Sequence, residues 1–194
     1  MKTTLVEIAK HNPGPKRFAK FLKILGKEKE DDESFSILQL LNSDEWFSNF
    51  YEVLWCLRAV SGYEREVRLL ARAFALQVKP LLVDERSKAA FPICERFLQG
   101  GGTAVDLHLP RIEALAAAKD AAGQAPWTPV MAASSAAAEM LSPYIKGISE
   151  WDGIRLTSWN ANRASIWTGQ PHLGWTKHLE LFRLICSHVN QSQS

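Results

Sequence analysis

LWCLRAVSGYEREVRLLARAFALQVKPLLVDERSKAAFPICERFLQGGG, from Leu54 to Gly102, carries the periodicity that decides the fold. Between Glu64 and Val78 the apolar residues Val67, Leu70, Ala71, Phe74 and Val78 recur at helical spacing, so one face of a helix turns toward a core. Arg65, Arg68 and Arg72 fall outside that stripe or at its edge, where an amphipathic helix carries solvated cations. Pro80 stops this helix. Asp84 or Ser87 is placed to cap the next, whose inward set would be Ala90, Ile93 and Phe97. Proline in a helix interior removes a backbone hydrogen bond at a cost of about 3 kcal/mol, so a kink or a fresh start is expected near Pro92.

The same reading extends in both directions. Upstream, Asn42 with Glu45 three positions later has the form of a capping box, and Trp46, Phe50, Val53, Leu54, Leu57 and Val60 continue at helical spacing until Gly62. Further back, Lys16 to Leu25 places Phe18, Phe21, Leu22 and Leu25 on one stripe, and Gly26 closes it. Downstream, Thr103 caps a segment running to Ala122 in which Leu107, Ile112, Leu115 and Ala118 would pack and Pro110 would bend the chain. Thr128-Pro129 is a cap followed by a first-turn proline, leading a stripe of Val130, Ala133, Ala137, Met140, Leu141 and Tyr144. From Lys146 to Gly174 glycines break the pattern, and a last helix follows with Trp175, Leu179, Phe182, Ile185 and Val189 on one face. No strand is expected.

These segments predict an all-α fold, a helical bundle in a single domain over 1–194. Its parts are a basic helix and charged connection (1–33), a helical core (34–144), a Trp-rich irregular segment (145–174) and a closing helix (175–190). At 46% hydrophobic and 23% charged residues the composition is that of a globular protein. A formal charge of +2 is too small to draw nucleic acid or an anionic membrane by net electrostatics. The opening MKTTLVEIAKHNPG has no apolar core before a cleavage site, and no apolar run reaches membrane-spanning length. Cys56, Cys94 and Cys186 are odd in number and set in apolar surroundings, as reduced thiols of a cytoplasmic protein are.

Motifs for chemistry are absent: the chain has no Gly-rich phosphate loop, GxSxG, HExxH or CxxC. No cofactor or metal is expected, since none of the five histidines pairs with another at ligand spacing on a helix. A small enzyme would need His172, His178 and Asp152 to converge in a cleft. The Lys16, Arg17, Lys20 and Lys23 face has the composition of a nucleic-acid-binding helix, which is the alternative function. It reads more simply as a solvated face, because the KEKEDDE run that follows reverses the charge.

The feature with most binding character is Trp151, Trp159, Trp167 and Trp175, spaced by eight, with Arg155 and Arg163 between the first three. Tryptophan and arginine dominate binding hot spots because each joins a large contact area to a specific polar group. The set reads either as a partner surface or as the filling of a loop-covered core. Asp31, Asp32 and Glu33 add steering charge.

LWCLRAV at Leu54 to Val60, then Arg65, Phe74-Ala75, Val78, Leu81 and DERSKAAF at Asp84 to Phe91, resemble a family of immunity proteins of bacterial polymorphic toxin systems. The resemblance covers roughly 35–144 and includes the alanine-rich helices. It implies an all-helical, non-enzymatic protein that binds a cognate protein toxin in the cytoplasm, with no catalytic residues. The Trp-rich stretch departs from the family pattern. That departure makes Trp151, Arg155, Trp159, Arg163 and Trp167 the expected anchors for a chain-specific partner, with Asp31, Asp32 and Glu33 as steering charges.

Overall fold

A computed structural model describes residues 1–41, 46–124, 128–142, 150–168 and 171–191. The fold is all-α, with one short two-stranded sheet. Packing divides the chain into two compact units, one made of Met1–Glu64 with Cys186–Ser194, the other of Arg65–Ile185.

In the first unit β1 (Lys2–Thr3) pairs antiparallel with β2 (Phe35–Ser36), Thr3 opposite Phe35, which corrects the expectation of no strand. The Thr4 side chain accepts the Glu7 amide at 3.0 Å and so caps α1 (Leu5–Lys10). Pro15 starts α2 (Pro15–Leu25), and Gly26 ends it at φ 66°, with the Lys27 amide reaching back to the Leu22 carbonyl at 2.9 Å. Of the stripe expected on α2, Phe21 is the residue that is fully enclosed. A 3₁₀ turn (Ile37–Leu41) leads to α3 (Trp46–Cys56), whose Phe50, Val53 and Leu54 complete the core with Leu5, Ile8 and Phe21. The capping box expected at Asn42 and Glu45 lies outside the described residues.

The second unit holds α4 (Glu64–Val78) from Arg65 on, α5 (Glu85–Leu98), α6 (His108–Gln124), α7 (Pro129–Glu139) and α8 (Glu150–Trp167). It also holds α9 (Pro171–Gln191) as far as Ile185. The inward residues of α4 are those the spacing predicts, Val67, Leu70, Ala71, Phe74 and Val78. Of its arginines Arg65 is exposed and Arg72 half-buried, as edge positions are, whereas Arg68 is enclosed. Arg68 is 6% exposed, with its guanidinium 4.7 Å from the Phe97 ring. Arg65 Nε donates to the Leu98 carbonyl at 3.2 Å, and Arg72 pairs with Glu95 at 3.1 Å, so this row fastens α4 to α5.

Asp84 caps α5 by accepting the Arg86 amide at 2.9 Å. The helix then runs through Pro92 as one element, so no fresh start occurs there. Pro92 is exposed, on the side of α5 away from its buried set. Its buried set is Ser87, Ala90, Phe91, Cys94 and Leu98, whereas Ile93 and Phe97 are only partly covered. Thr103 and Asp106 form a capping box on a 3₁₀ turn (Ala104–Leu107) ahead of α6. Pro110 falls in the first turn of α6, where a missing amide costs nothing. Ile112, expected to pack, is 46% exposed, and Ala114, Ala117 and Ala118 are the buried residues.

Thr128 caps α7 through the Met131 amide at 3.2 Å. Fully buried Ala132, Ala133, Ala136 and Ala137 let α7 approach α6 and α8 closely. Arg111 of α6 pairs with Glu139 of α7 at 3.2 Å. On the α8 side, a Cβ at Gly153 would lie 2.8 Å from Ser142 Cβ and 3.2 Å from the Glu139 carbonyl, so glycine sets the approach. The stretch expected to be irregular is therefore helical over Glu150–Trp167.

Candidate functional site

The five Trp and Arg positions all lie on α8. The helix buries Gly153, Ile154, Thr157, Ser158, Ala161 and Ala164, a face of mostly small residues. Opposite that face Trp159 is 44% exposed and Ile166 43%, and Arg155 and Arg163 are half-buried beside them.

An eight-residue step advances about 80° around an α-helix. Trp151, Trp159 and Trp167 therefore do not form a stripe. Their positions fan across about 160° with Trp159 at the centre, and Arg155 and Arg163 fall between. The side chains of Trp151, Trp167 and Trp175 lie outside the described residues. Trp159 itself is not enclosed in a core.

Asp31, Asp32 and Glu33 belong to the other unit. Lys27 Nζ donates to both Asp31 oxygens at 2.7 Å and to Glu33 at 2.8 Å. These hydrogen bonds, Asp31 first, hold the Lys27 ammonium above its usual range. Asp31 and Glu33 thus share one ammonium and keep a net negative charge between them, and Asp32 is exposed beside them. On α2, Arg17 pairs with Glu52 and lies 5.0 Å from the Trp55 ring, which Arg58 also approaches at 5.5 Å. One of the four cations counted toward a nucleic-acid face is thus engaged within its own unit.

The residues proposed for a small enzyme separate. His178 is fully buried, its ring 4.3 Å from that of Phe74, and burial pushes its pKa down to about 3. Its Nδ1 lies 3.1 Å from Ser158 Oγ, and that hydroxyl is fully buried too. The side chains of Asp152 and His172 lie outside the described residues, and position 152 is about 120° around α8 from Ser158. A hydroxyl beside an imidazole has the form of an activated nucleophile, but neither group exposes surface that a substrate would reach. Sequence reasoning missed this pair because twenty residues separate its members, and only the fold brings them together.

All three cysteines are free and buried. Burial raises Cys94 to about 11, Cys186 to about 12 and Cys56 well above the usual thiol range. Among the described residues no helix is long and apolar enough to cross a membrane.

No protein-family model matches the chain, and no curated protein or solved structure matches it.

Proposed function

We propose that this chain acts by stoichiometric protein binding, as an immunity protein that neutralises a protein toxin by covering its active site or an essential surface. The observation that carries the reading is Trp159, half-exposed at the centre of α8 on the face turned away from α7, with Ile166 further along the same side. A tryptophan left outside the core in the middle of a packed helix has the character of a hot-spot anchor. The resemblance of the Leu54 to Phe91 segments to immunity proteins supports the same class. In this reading the protein works in the cytoplasm, without catalysis, metal or cofactor. Trp151, Arg155, Trp159, Arg163 and Trp167 contribute the contact, and Asp32 is the steering charge in the acidic run.

The test is growth of a host expressing the neighbouring gene, with and without this chain. Toxicity relieved only by co-expression, together with a complex that survives a sizing column, is the expected result. A neighbour that is harmless, or that kills regardless, removes the reading. Trp159→Ala is expected to weaken the complex at least about tenfold while the free protein keeps its helical signal.

A further inference from the structure

The outer side of α6 carries an apolar stripe that the chain's own packing leaves largely uncovered. The buried residues of α6 are Ala114, Ala117 and Ala118, whereas Leu109 is 62% exposed and Ile112 nearly half exposed. Val105, in the 3₁₀ turn ahead of the helix, is 80% exposed, more than any other large apolar side chain among the described residues. Val105, Leu109, Ile112 and Ala116 follow one another at steps of four, three and four, the spacing that lines up one side of a helix. Single apolar residues are ordinary on a surface. Here they are aligned, and α6 turns small residues inward while Leu109 and Ile112 turn out, the reverse of the usual amphipathic arrangement.

The charge beside the stripe sets the class of partner. Asp106 and Glu113 stand three residues before and four residues after Leu109, which brings both to the same edge of the stripe, and both are exposed. Asp106 accepts the Thr103 amide at 2.7 Å and the Thr103 hydroxyl at 3.0 Å. These neutral donors hold its carboxyl below the usual range and leave its negative charge in place. A second copy of the chain fits this pattern poorly. Paired antiparallel about a two-fold axis, α6 would set the Asp106 and Glu113 edge against its own image, where like charges repel. Paired in parallel with Ile112 on Ile112, it would also set Lys119, seven residues on, against Lys119. A helix with cations along one edge meets neither conflict.

We propose that the Val105, Leu109 and Ile112 face docks an amphipathic helix of a partner protein, its apolar side on the stripe and a row of lysine or arginine along the Asp106 and Glu113 edge. The proposal does not rest on the toxin-binding reading, since this face belongs to α6 whereas Trp159 stands on α8. The probe is a three-heptad peptide with leucine at both core positions and lysine at both flanking positions. Its control carries glutamate in place of lysine. Like-charge repulsion keeps each peptide from pairing with itself, so each orders only on an acceptor surface.

The experiment titrates each peptide into the full ¹⁵N-labelled chain and follows the amide signals of Leu109, Ile112 and Glu113. Saturable shifts with the lysine peptide are expected, at least about tenfold weaker with the glutamate peptide. Leu109→Gln, at an exposed position, should weaken the lysine peptide at least about fivefold, with the helical signal checking its fold. Glu113→Lys should weaken the lysine peptide and strengthen the glutamate peptide, each at least about threefold, a crossover that a damaged fold would not produce. The proposal is overturned if the lysine peptide gives no saturable shift at these amides up to about 1 mM. It is also overturned if the two peptides bind equally, or if Glu113→Lys leaves their order of affinity and its size unchanged. Sedimentation that shows the free chain self-associating, and Leu109→Gln abolishing that association, would assign the face to a second copy and overturn it too.

Discussion

The imidazole of His178 and the hydroxyl of Ser158 meet at 3.1 Å, with neither side chain reaching solvent. Burial keeps the folded imidazole neutral down to a pKa of about 3, while in the unfolded chain it protonates near 6.5. Between those values the unfolded state binds the extra proton. Stability is therefore complete above about pH 6.5 and falls as pH drops toward 3, at up to about 1.4 kcal/mol per pH unit. Urea midpoints between pH 7 and 4.5 should show this slope in the native sequence. They should lose most of it in His178→Asn, which keeps a hydrogen-bonding partner for Ser158 without titrating there; equal slopes would refute a buried neutral histidine.

Gly153→Ala should destabilise, although alanine is ordinarily favoured over glycine inside a helix by about 1 kcal/mol. The new Cβ would fall 2.8 Å from Ser142 Cβ and 3.2 Å from a backbone oxygen, neither of which yields easily. The overpacking cost of about 1–3 kcal/mol then decides the sign. Adding Ser142→Gly removes one of the two clashes, so the double variant should recover part of the lost melting temperature if this contact is the cause.

Removing the α5 cap with Asp84→Ala should cost about 1 kcal/mol in thermal or urea unfolding. Asp84→Asn keeps a capping oxygen and should lose less. Hydrogen bonds from Arg86 hold the Asp84 carboxyl below its usual range. Its contribution is therefore present above the unfolded carboxyl pKa and lost in acid below it, a lower window than that of His178.

Trp159→Ala and Phe74→Ala should separate surface from core. Phe74 is fully enclosed, and its truncation should cost about 3–5 kcal/mol of stability. Trp159 leaves nearly half of itself in solvent, so its loss should cost far less and be read in partner binding instead. Comparable losses of melting temperature from the two variants would count against α8 as a partner surface.

The native chain should resist thiol reagents. With each cysteine buried and its pKa raised, a colorimetric disulfide reagent is expected to find almost no reactive thiol at pH 8 and all three in denaturant. Fast reaction of any one under native conditions would show that its burial is wrong.

The parts of the fold legible beforehand are those where large apolar residues or backbone-specific residues do the packing. The α4 stripe is predicted residue by residue, and Gly26, Thr128-Pro129 and Asp84 act as their chemistry requires. The helix at Glu150–Trp167 is illegible for a physical reason: it packs through Gly153, Ala161 and Ala164, small residues that leave little hydrophobic periodicity. Arg68 misleads because charge suggests solvent, whereas a guanidinium also packs over an aromatic ring such as Phe97. The exposure of Trp159 and the ion pairs that Lys27 makes with Asp31 and Glu33 are not legible, because both depend on how the chain turns and packs.

The first unit takes its chain from both sides of the second, since residues from Cys186 onward belong with Met1–Glu64. A ribosome releases those closing residues only after all of Arg65–Ile185 has emerged. Met1–Glu64, although made first, gains the contacts of Cys186 and the residues after it only once all of Arg65–Ile185 has been made.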